Sequence, residues 1–426
     1  MKRLLAMLLI LCTVCPLLFA LSSCTAGDEV ITLYVYNWGE YISDGSEGSY
    51  NTNAEFEKYM ERVYGQKVKV NYSTYSSNED MYAKLVSGAA VYDVVIPSDY
   101  MVARLIEEDM LLKLNKQNIK GLENIDLSAI IDSEYPYYDP KGEYSVPYTY
   151  GTVGIIYNAE QVDEADLGGW DLMWNEKYSG NILQFNNSRD AFATAQFLLG
   201  YSINGNNDPE RDEQEWRDAL NKLLEQKSIV QGYVMDEIFN KMESGSALIA
   251  PYYAGDFFTM YESNEDLWFY YPSELSLSGK QEATNVFVDA MCVPTTSAHP
   301  EIAEKYIEFM LTEETAVANA EYICYASPNK LVRQNEDYRA SMDEICEEWE
   351  TILYGTEDLT LEFYENLPEE KLVLLNSLWE ELKIESSIGV SIIVIACIIV
   401  AGLVALGVFL YVQKRKRRRY VSTLWD

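Results

Sequence analysis

The sequence predicts an α/β protein, and three observations support this fold class. Runs rich in β-branched and aromatic residues, typical of strands, cover residues 30–36, 68–72 and 92–96. Helical patterns separate these runs and end at Gly65 and Gly88, the residue type at which helices commonly stop. The chain has 426 residues, 48% of them hydrophobic, which is enough for about two or three domains with a sizeable core. Strands that alternate with helices in this order favour a parallel sheet.

A second α/β region follows residue 151. Its strand-like and helical patterns cover residues 153–157, 191–199, 216–224 and 302–311. Residues 286–294 form an apolar run, typical of a buried strand, that carries a single carboxylate, Asp289. Since a buried charge is costly unless it has a partner, we expect Asp289 to have a function.

The charge balance narrows the class of ligand. The chain has 32 Lys and Arg residues against 68 Asp and Glu, a formal net charge of −36 that disfavours nucleic-acid binding. This charge favours a cationic ligand, although acidity can also serve solubility alone. The sequence contains one histidine, His299, which argues against Ser/His and Cys/His catalytic pairs and against His-rich metal sites. We therefore expect a protein that is not an enzyme and that needs neither a cofactor nor a metal.

Residues 1–24 are typical of a secretory signal peptide. Lys2 and Arg3 precede an apolar run that reaches Ala20, and small residues follow it. The end of the segment, Leu-Ser-Ser-Cys, resembles a bacterial lipobox, in which Cys24 becomes the lipid-bearing first residue of the mature protein. A plain signal peptide and an uncleaved transmembrane helix are the alternatives. We expect export, with lipidation of Cys24.

The C-terminal region predicts a transmembrane helix. Residues 386–412 carry no charge, and this run of 27 residues exceeds the roughly 20 that a helix needs to cross the hydrocarbon core. Lys and Arg fill residues 414–419, so the positive-inside rule places the basic tail, 413–426, in the cytoplasm. Both ends then place residues 25–385 outside the cell.

Three segments are candidates for ligand binding, because parallel α/β sheets bind ligands beyond the carboxyl ends of their strands. Residues 37–41, 73–75 and 97–100 each contain an aromatic side chain, and two of them contain a carboxylate. The sequence contains no glycine-rich phosphate loop and no EF-hand pattern. Acids and rings together suit a protonated amine, since carboxylates replace the water lost by an ammonium group and aromatic faces cover its methylene chain.

Five motifs occur in order along the chain, namely Tyr-Asn-Trp-Gly-Glu-Tyr at 36–41 and the runs at 72–85, 92–98, 144–148 and 325–329. In this order they resemble the spermidine/putrescine-binding proteins of bacterial polyamine importers. The resemblance covers nearly all of residues 30–383. The C-terminal apolar run and the basic tail lie outside it.

The resemblance implies a two-lobed, periplasmic-binding-protein-like fold of type II, with an interlobe ligand cleft and lobes that close on the ligand. Lobe 1 would comprise residues 30–151 and 289–333, and lobe 2 residues 152–288 and 334–385. The ligand contacts that the resemblance implies are Trp38, Glu40, Tyr41, Ser98, Tyr100, Asp190, Tyr253, Phe287, Asp289 and Tyr325.

Three departures from the family pattern bear on the ligand. Asn187 stands where the family has an aspartate, Gly39 where it has a small hydroxyl residue, and Phe287 where it has an indole. These departures leave a polyamine as the expected class of ligand and leave the individual polyamine open.

The expected function is the capture of a polyamine, spermidine or putrescine, and its delivery to the permease subunits of an ABC transporter. We expect a monomer anchored at the extracytoplasmic face of the bacterial membrane, in the periplasmic space or at the cell surface, that binds no nucleic acid. Two alternatives stay open: the same fold binding another cationic or metal-bearing solute, and a membrane-anchored sensor ectodomain. An enzyme with a glycosidase-like carboxylate pair has no signature in the sequence.

Overall fold

The computed structural model describes residues 30–131 and 136–384, together with 399–401, 403–406, 408 and 411. Its strands are β1 Ile31–Trp38, β2 Val68–Tyr75, β3 Val94–Val95, β4 Ser145–Asn158, β5 Ile182–Phe185, β6 Val230–Val234, β7 Ile249–Tyr253, β8 Leu267–Tyr270, β9 Thr284–Cys292 and β10 Leu361–Glu362. Its α-helices are α1 Thr52–Tyr64, α2 Asn78–Ser87, α3 Asp99–Glu107, α4 Ser188–Leu199, α5 Pro209–Gln226, α6 Glu237–Glu243, α7 Ala254–Ser263, α8 Pro300–Met310, α9 Glu313–Ile323, α10 Lys330–Gln334, α11 Glu336–Ile345 and α12 Trp349–Tyr354. A further helix covers 369–384.

The described chain forms two compact units. Unit 1 contains the residues up to Gly151 and Phe287–Tyr354, and unit 2 contains Thr152–Val286 and the residues from Gly355 onward. Strands β4 and β9 each contribute residues to both units. The sequence prediction places 287–288 and 334–354 in lobe 2, whereas these residues cluster with unit 1.

Unit 1 is built on a mixed sheet in the order β2-β1-β3-β9. Strand β1 pairs in parallel with β2 from Ile31 opposite Val68 to Trp38 opposite Tyr75, and it also pairs in parallel with β3. The C-terminal part of β9 is antiparallel to β3. The first three strands and the two helices between them lie where the sequence predicts them, so the carboxyl ends of β1, β2 and β3 share one edge.

Local sequence explains how the helices of unit 1 begin, end and pack. The side chain of Asn51 accepts a hydrogen bond from the N–H of Ala54 at the start of α1, a standard N-cap. The helix ends at Gly65, whose φ of 64° is left-handed and favours glycine. Phe56 of α1 packs against Tyr306 and Phe309 of α8, with ring centroids 5.0 and 5.6 Å apart.

Unit 2 has a second mixed sheet, in which β4 is antiparallel to both β7 and β8, while β5 is parallel to β6 and β7. Helix α4 is buried along nearly its whole length and packs on α5, where Phe192 meets Trp216 at 5.7 Å between ring centroids. The short strand β10 runs parallel to the first residues of β9. It brings the segment after residue 355 into unit 2.

The predicted C-terminal transmembrane helix is the part of the predicted fold class that proves wrong. Across the part of the chain that the structure describes, no helix combines the length and the apolar character needed to cross a membrane. Residues 386–398, 402, 407, 409–410 and 412 of the predicted helix lie outside the described residues, as do the basic tail and residues 1–29, which include Cys24. The physical reason for the error is that hydropathy measures how apolar a run is, whereas a crossing needs about 20 residues in one continuous helix.

We predict that Gly154→Ala destabilises unit 2. A Cβ atom at Gly154 would lie 2.7 Å from the carbonyl oxygen of Tyr270 and closer still to the ring of Phe269. Overpacking of this kind costs about 1–3 kcal/mol in the free energy of unfolding.

The matched control is Gly232→Ala in strand β6, where a Cβ atom meets nothing within 4 Å. Urea unfolding of the two variants should therefore show a loss for Gly154→Ala and no loss for Gly232→Ala. Equal stability of the two variants would contradict the packing described for β4 and β8.

Candidate ligand-binding site

Asp289 is a buried carboxylate on strand β9, all of whose residues are buried. Its side chain is 3% exposed. Oδ2 accepts a hydrogen bond of 2.7 Å from the hydroxyl of Tyr41, whereas Oδ1 has no partner among the described residues. Burial raises the pKa of Asp289 to about 6, and the nearby hydroxyl groups of Ser98 and Tyr41 oppose that rise. At neutral pH the carboxylate is therefore largely charged, with one oxygen available to a donor.

Tyr41 connects Asp289 to a cluster of aromatic rings. Its hydroxyl also lies 2.6 Å from Oγ1 of Thr149, and its ring meets the edges of Tyr148 and Tyr325 at 5.8 and 5.1 Å. Burial and the nearby charge of Asp289 raise the pKa of Tyr41 well above its ordinary value. Tyr41 consequently stays protonated and donates to the carboxylate.

Ser98 and Tyr100 follow strand β3 and lie on the same hydrogen-bond network. The Asn78 side-chain amide donates to Oγ of Ser98 and to the hydroxyl of Tyr100, both at 3.1 Å. The Tyr100 hydroxyl in turn donates to Oε1 of Glu79 at 3.0 Å. Ser98 also forms an antiparallel bridge with Asp289. The network therefore fixes the loop after β3 beside the buried acid.

Trp38 and Glu40 differ in their placement. Trp38 ends strand β1, contacts the ring of Tyr75 at 4.6 Å between centroids, and has an Nε1 atom that is buried without a partner among the described residues. Glu40 is exposed, with a left-handed φ of 49°. Within the described ranges no hydrogen bond joins Glu40 to the other predicted contacts, so the structure does not bring this acid into the cluster.

Phe287 adds a ring to the same part of unit 1. It lies edge-on to Tyr325 at 6.3 Å between centroids and is 8% exposed. Gly151 makes room for it, because a Cβ atom there would lie 2.7 Å from the Cζ atom of the ring. Seven of the predicted contacts, Trp38, Tyr41, Ser98, Tyr100, Phe287, Asp289 and Tyr325, thus lie in one set of connected contacts or on its border.

Unit 2 contains an acidic set of its own around Asp190, in the first turn of α4. Oδ2 of Asp190 accepts from the hydroxyl of Tyr253 at 2.6 Å and from the side-chain amide of Asn187 at 2.7 Å. Oδ1 accepts from the hydroxyl of Tyr364 at 2.9 Å. Asn187 also caps the helix by accepting from the Asp190 N–H. Three neutral donors therefore stabilise the charge of Asp190.

Sequence reasoning missed four residues of these networks. Asn78 and Glu79 lie within a quoted motif but carry the signal of a helix start, and Thr149 lies inside a strand. Tyr364 contacts Asp190 across 174 positions of sequence from an irregular segment, which no local pattern indicates. The described ion pairs involve neither Asp289 nor Asp190, so each unit presents an acid without a protein cation.

Comparison with known proteins identifies the class of protein that carries these acids and rings. The model of the bacterial extracellular solute-binding protein family matches residues 54–343. The spermidine/putrescine-binding periplasmic protein of Salmonella typhimurium is 30% identical over 304 residues, which are 71% of this chain and 79% of the relative. The protein of the same name from Escherichia coli is 29% identical over 73% of this chain and 82% of its own length.

A solved structure agrees with these matches. The spermidine/putrescine ABC transporter substrate-binding protein of Streptococcus pneumoniae is 31% identical, with a TM-score of 0.62 over 83% of this chain and 99% of that protein. The chain belongs to the family of bacterial extracellular solute-binding proteins. The two curated relatives above are named for spermidine and putrescine. The predictions of a two-lobed periplasmic-binding-protein fold and of a protein that is not an enzyme are confirmed.

We predict that Asp289→Asn stabilises the protein at alkaline pH. The folded pKa of Asp289, about 6, lies above the ordinary value of 3.8. Its contribution to stability is therefore fully present below the ordinary pKa and is lost as the pH rises through about 6. Removing the charge should raise the free energy of unfolding at pH 8 by about 1–3 kcal/mol and change it little at pH 4.

Asp139→Asn is the contrasting control for urea unfolding at the two pH values. Its carboxylate is 1% exposed and accepts hydrogen bonds from the backbone N–H groups of residues 143, 144 and 145 and from the hydroxyl of Ser145. This variant should lose stability at pH 8, because an amide offers fewer acceptors. If Asp289→Asn also loses stability at pH 8, the burial cost assigned to Asp289 is incorrect.

Proposed function

We propose that the protein captures a linear polyamine outside the cytoplasm and delivers it to an ABC transporter permease. The observation that carries this proposal is the buried Asp289, with one oxygen unpartnered beside a cluster of aromatic rings. The family membership supports an extracytoplasmic solute-binding role. The names of the relatives support spermidine and putrescine as the class of solute.

In unit 1 we assign the role of ammonium acceptor to Asp289. An ammonium group has three N–H donors and a positive charge. One of its N–H groups can donate to the free Oδ1, and its charge pairs with that of the carboxylate. Five aromatic side chains supply ring faces and edges for the methylene chain, namely Trp38, Tyr41, Tyr100, Phe287 and Tyr325. Each cation–π contact contributes about 0.5–2 kcal/mol to binding. Ser98 orients the loop through Asn78 and adds a hydroxyl.

In unit 2 we assign a second ammonium contact to Asp190 and Tyr253. Because three donors already occupy Asp190, a ligand gains one remaining lone-pair position there rather than a bare oxygen. Asp190 should therefore contribute less to affinity than Asp289. Glu40, being exposed, would attract a cation only through the screened field at the surface.

We predict micromolar or tighter binding of at least one of putrescine, cadaverine, spermidine and spermine, measured by isothermal titration calorimetry, with amino acids and ferric iron as competing solutes. Asp289→Asn should weaken the binding about 30-fold or more, because it leaves an ammonium group desolvated without its counter-charge. Asp190→Asn should weaken it by a smaller factor.

The control is Glu61→Gln, an exposed acid on α1, which makes the same change in net charge without touching the site. Its affinity should equal that of the wild type. A clear response to another solute and none to any polyamine would end the proposal, as would equal effects of Asp289→Asn and Glu61→Gln.

We also propose that the mature protein is a monomer and that Cys24 carries a lipid anchor. The motif Leu-Ser-Ser-Cys at 21–24 supports the lipid anchor. Mass spectrometry of protein purified from membranes should find a mature chain that begins at Cys24 with acyl chains, and Cys24→Ala should abolish this mass addition. An unmodified N-terminus at another residue would disprove the anchor without bearing on ligand binding.

A further inference from the structure

Asp99 is a second buried acid of unit 1, and none of the roles assigned above uses it. It is the first residue of α3 and is 0% exposed. Oδ2 accepts a hydrogen bond of 3.2 Å from the N–H of Val288, the residue before Asp289. Oδ1 accepts from the N–H of Tyr100 at 2.6 Å. One carboxylate thus contacts the backbone of two segments that carry predicted ligand contacts.

The contact of Asp99 with Val288 extends the hydrogen-bond ladder between β3 and β9 beyond the point where backbone acceptors end. Strand β9 pairs antiparallel with β3 at Cys292, the Ala290 N–H donates to the carbonyl of Pro97 at 3.0 Å, and Asp289 bridges to Ser98. The next donor along β9 is the N–H of Val288, but the facing chain has by then turned into α3. The side chain of Asp99 supplies the acceptor that a continued strand would have offered.

The groups that face Asp99 supply hydrogen-bond donors but no positive charge. Asp289 faces it from β9, Tyr137 and Tyr138 face it from the segment before β4, and Tyr100 follows it on α3. The ion pairs found in the described ranges do not include Asp99. Burial raises the pKa of Asp99 to about 8, and the charge of Asp289 adds to this rise. The two backbone N–H groups and a hydrogen bond from the side chain of Tyr137 oppose it. With Asp289 titrating near 6, the pair holds one proton and one charge at neutral pH.

We propose that Asp99 is a positioning residue for cation binding by unit 1. Its carboxylate fixes the backbone at Val288, next to Asp289, and at Tyr100, and its ionisation strengthens the attraction of Asp289 for a cation. This inference rests on the proposed function. A cation held by Asp289 favours the charged form of Asp99, so ligand binding releases the proton of the pair. A residue with only a structural role would release none.

The test is calorimetry of the full chain with putrescine at pH 6.5, 7.5 and 8.5, in two buffers of different ionisation enthalpy. Alkylammonium groups titrate at about pH 10, as lysine does, so putrescine keeps its charge in this range. The wild type should release protons on binding, and its affinity should rise about three- to tenfold from pH 6.5 to 8.5. Asp99→Asn, which is uncharged at all three pH values, should lose the rise in affinity and the proton release, whatever its affinity at pH 6.5.

The matched control is Asp93→Asn. Asp93 is equally buried in unit 1, but the donors to its carboxylate within the described ranges are Tyr34, Ser297, Ala298 and His299. This variant should keep the wild-type pH profile while losing stability. If Asp99→Asn does not fold, Asp99→Ser retains one acceptor at the helix start and replaces it in the comparison.

The outcomes separate this inference from the proposed function. A wild type that binds no polyamine overturns the proposed function and this inference together. A wild type that binds putrescine without releasing protons overturns this inference alone, whatever the variants do. So does an unchanged pH profile in Asp99→Asn or Asp99→Ser, or the same loss of the affinity rise in Asp93→Asn.

Discussion

The cost of burying a carboxylate without a cation is the constraint on which the rest of this site depends. Water stabilises an exposed aspartate, and a buried one needs donors in place of that water. Unit 1 gives Asp289 a hydroxyl from Tyr41 and leaves one oxygen bare, whereas unit 2 surrounds Asp190 with three donors. Without a solute, the two carboxylates therefore differ in how many hydrogen-bond donors they have. A buried carboxylate oxygen without a donor favours the binding of a positively charged donor.

The strands of unit 1 position Asp289 and the loop beside it. The parallel pairing of β1 with β2 and β3 places the ends of these strands at one edge, and β9 delivers Asp289 to the same region in the antiparallel direction. Hydrogen bonds from Asn78 and to Asp99 then hold the loop after β3 against β9. The acid thus lies on a rigid strand and not on a flexible loop. The protein therefore loses less conformational entropy when a ligand binds.

The sequence was sufficient for those features that local pattern determines. The helix ends at Gly65 and Gly88, the strands that these helices separate and the burial of one acid in the run 286–294 all follow from residue type and order. The partners of the acids did not follow, because the contact of Tyr364 with Asp190 and that of Tyr41 with Asp289 join positions far apart in sequence. Only tertiary structure decides such pairs.

Sequence reasoning was less able to place two features. Glu40 belongs to the motif at 36–41, and the structure shows it exposed in the turn after β1, with a left-handed φ. The C-terminal transmembrane helix was predicted from an uncharged run and the basic residues after it, but no helix among the described residues is long and apolar enough to cross a membrane. Residue type alone determines neither the direction of a side chain nor the extent of a helix.

The ring of Phe287 over Gly151 has an evolutionary consequence. The ring occupies the space that any side chain at position 151 would need, so position 151 cannot gain a side chain unless the ring at 287 moves or becomes smaller. Across homologous sequences the two sites should vary as a pair, with larger rings at 287 confined to chains that retain glycine at 151. A substitution at 287 that alters the preference for a solute would then depend on which residue stands at 151 in the neighbouring strand.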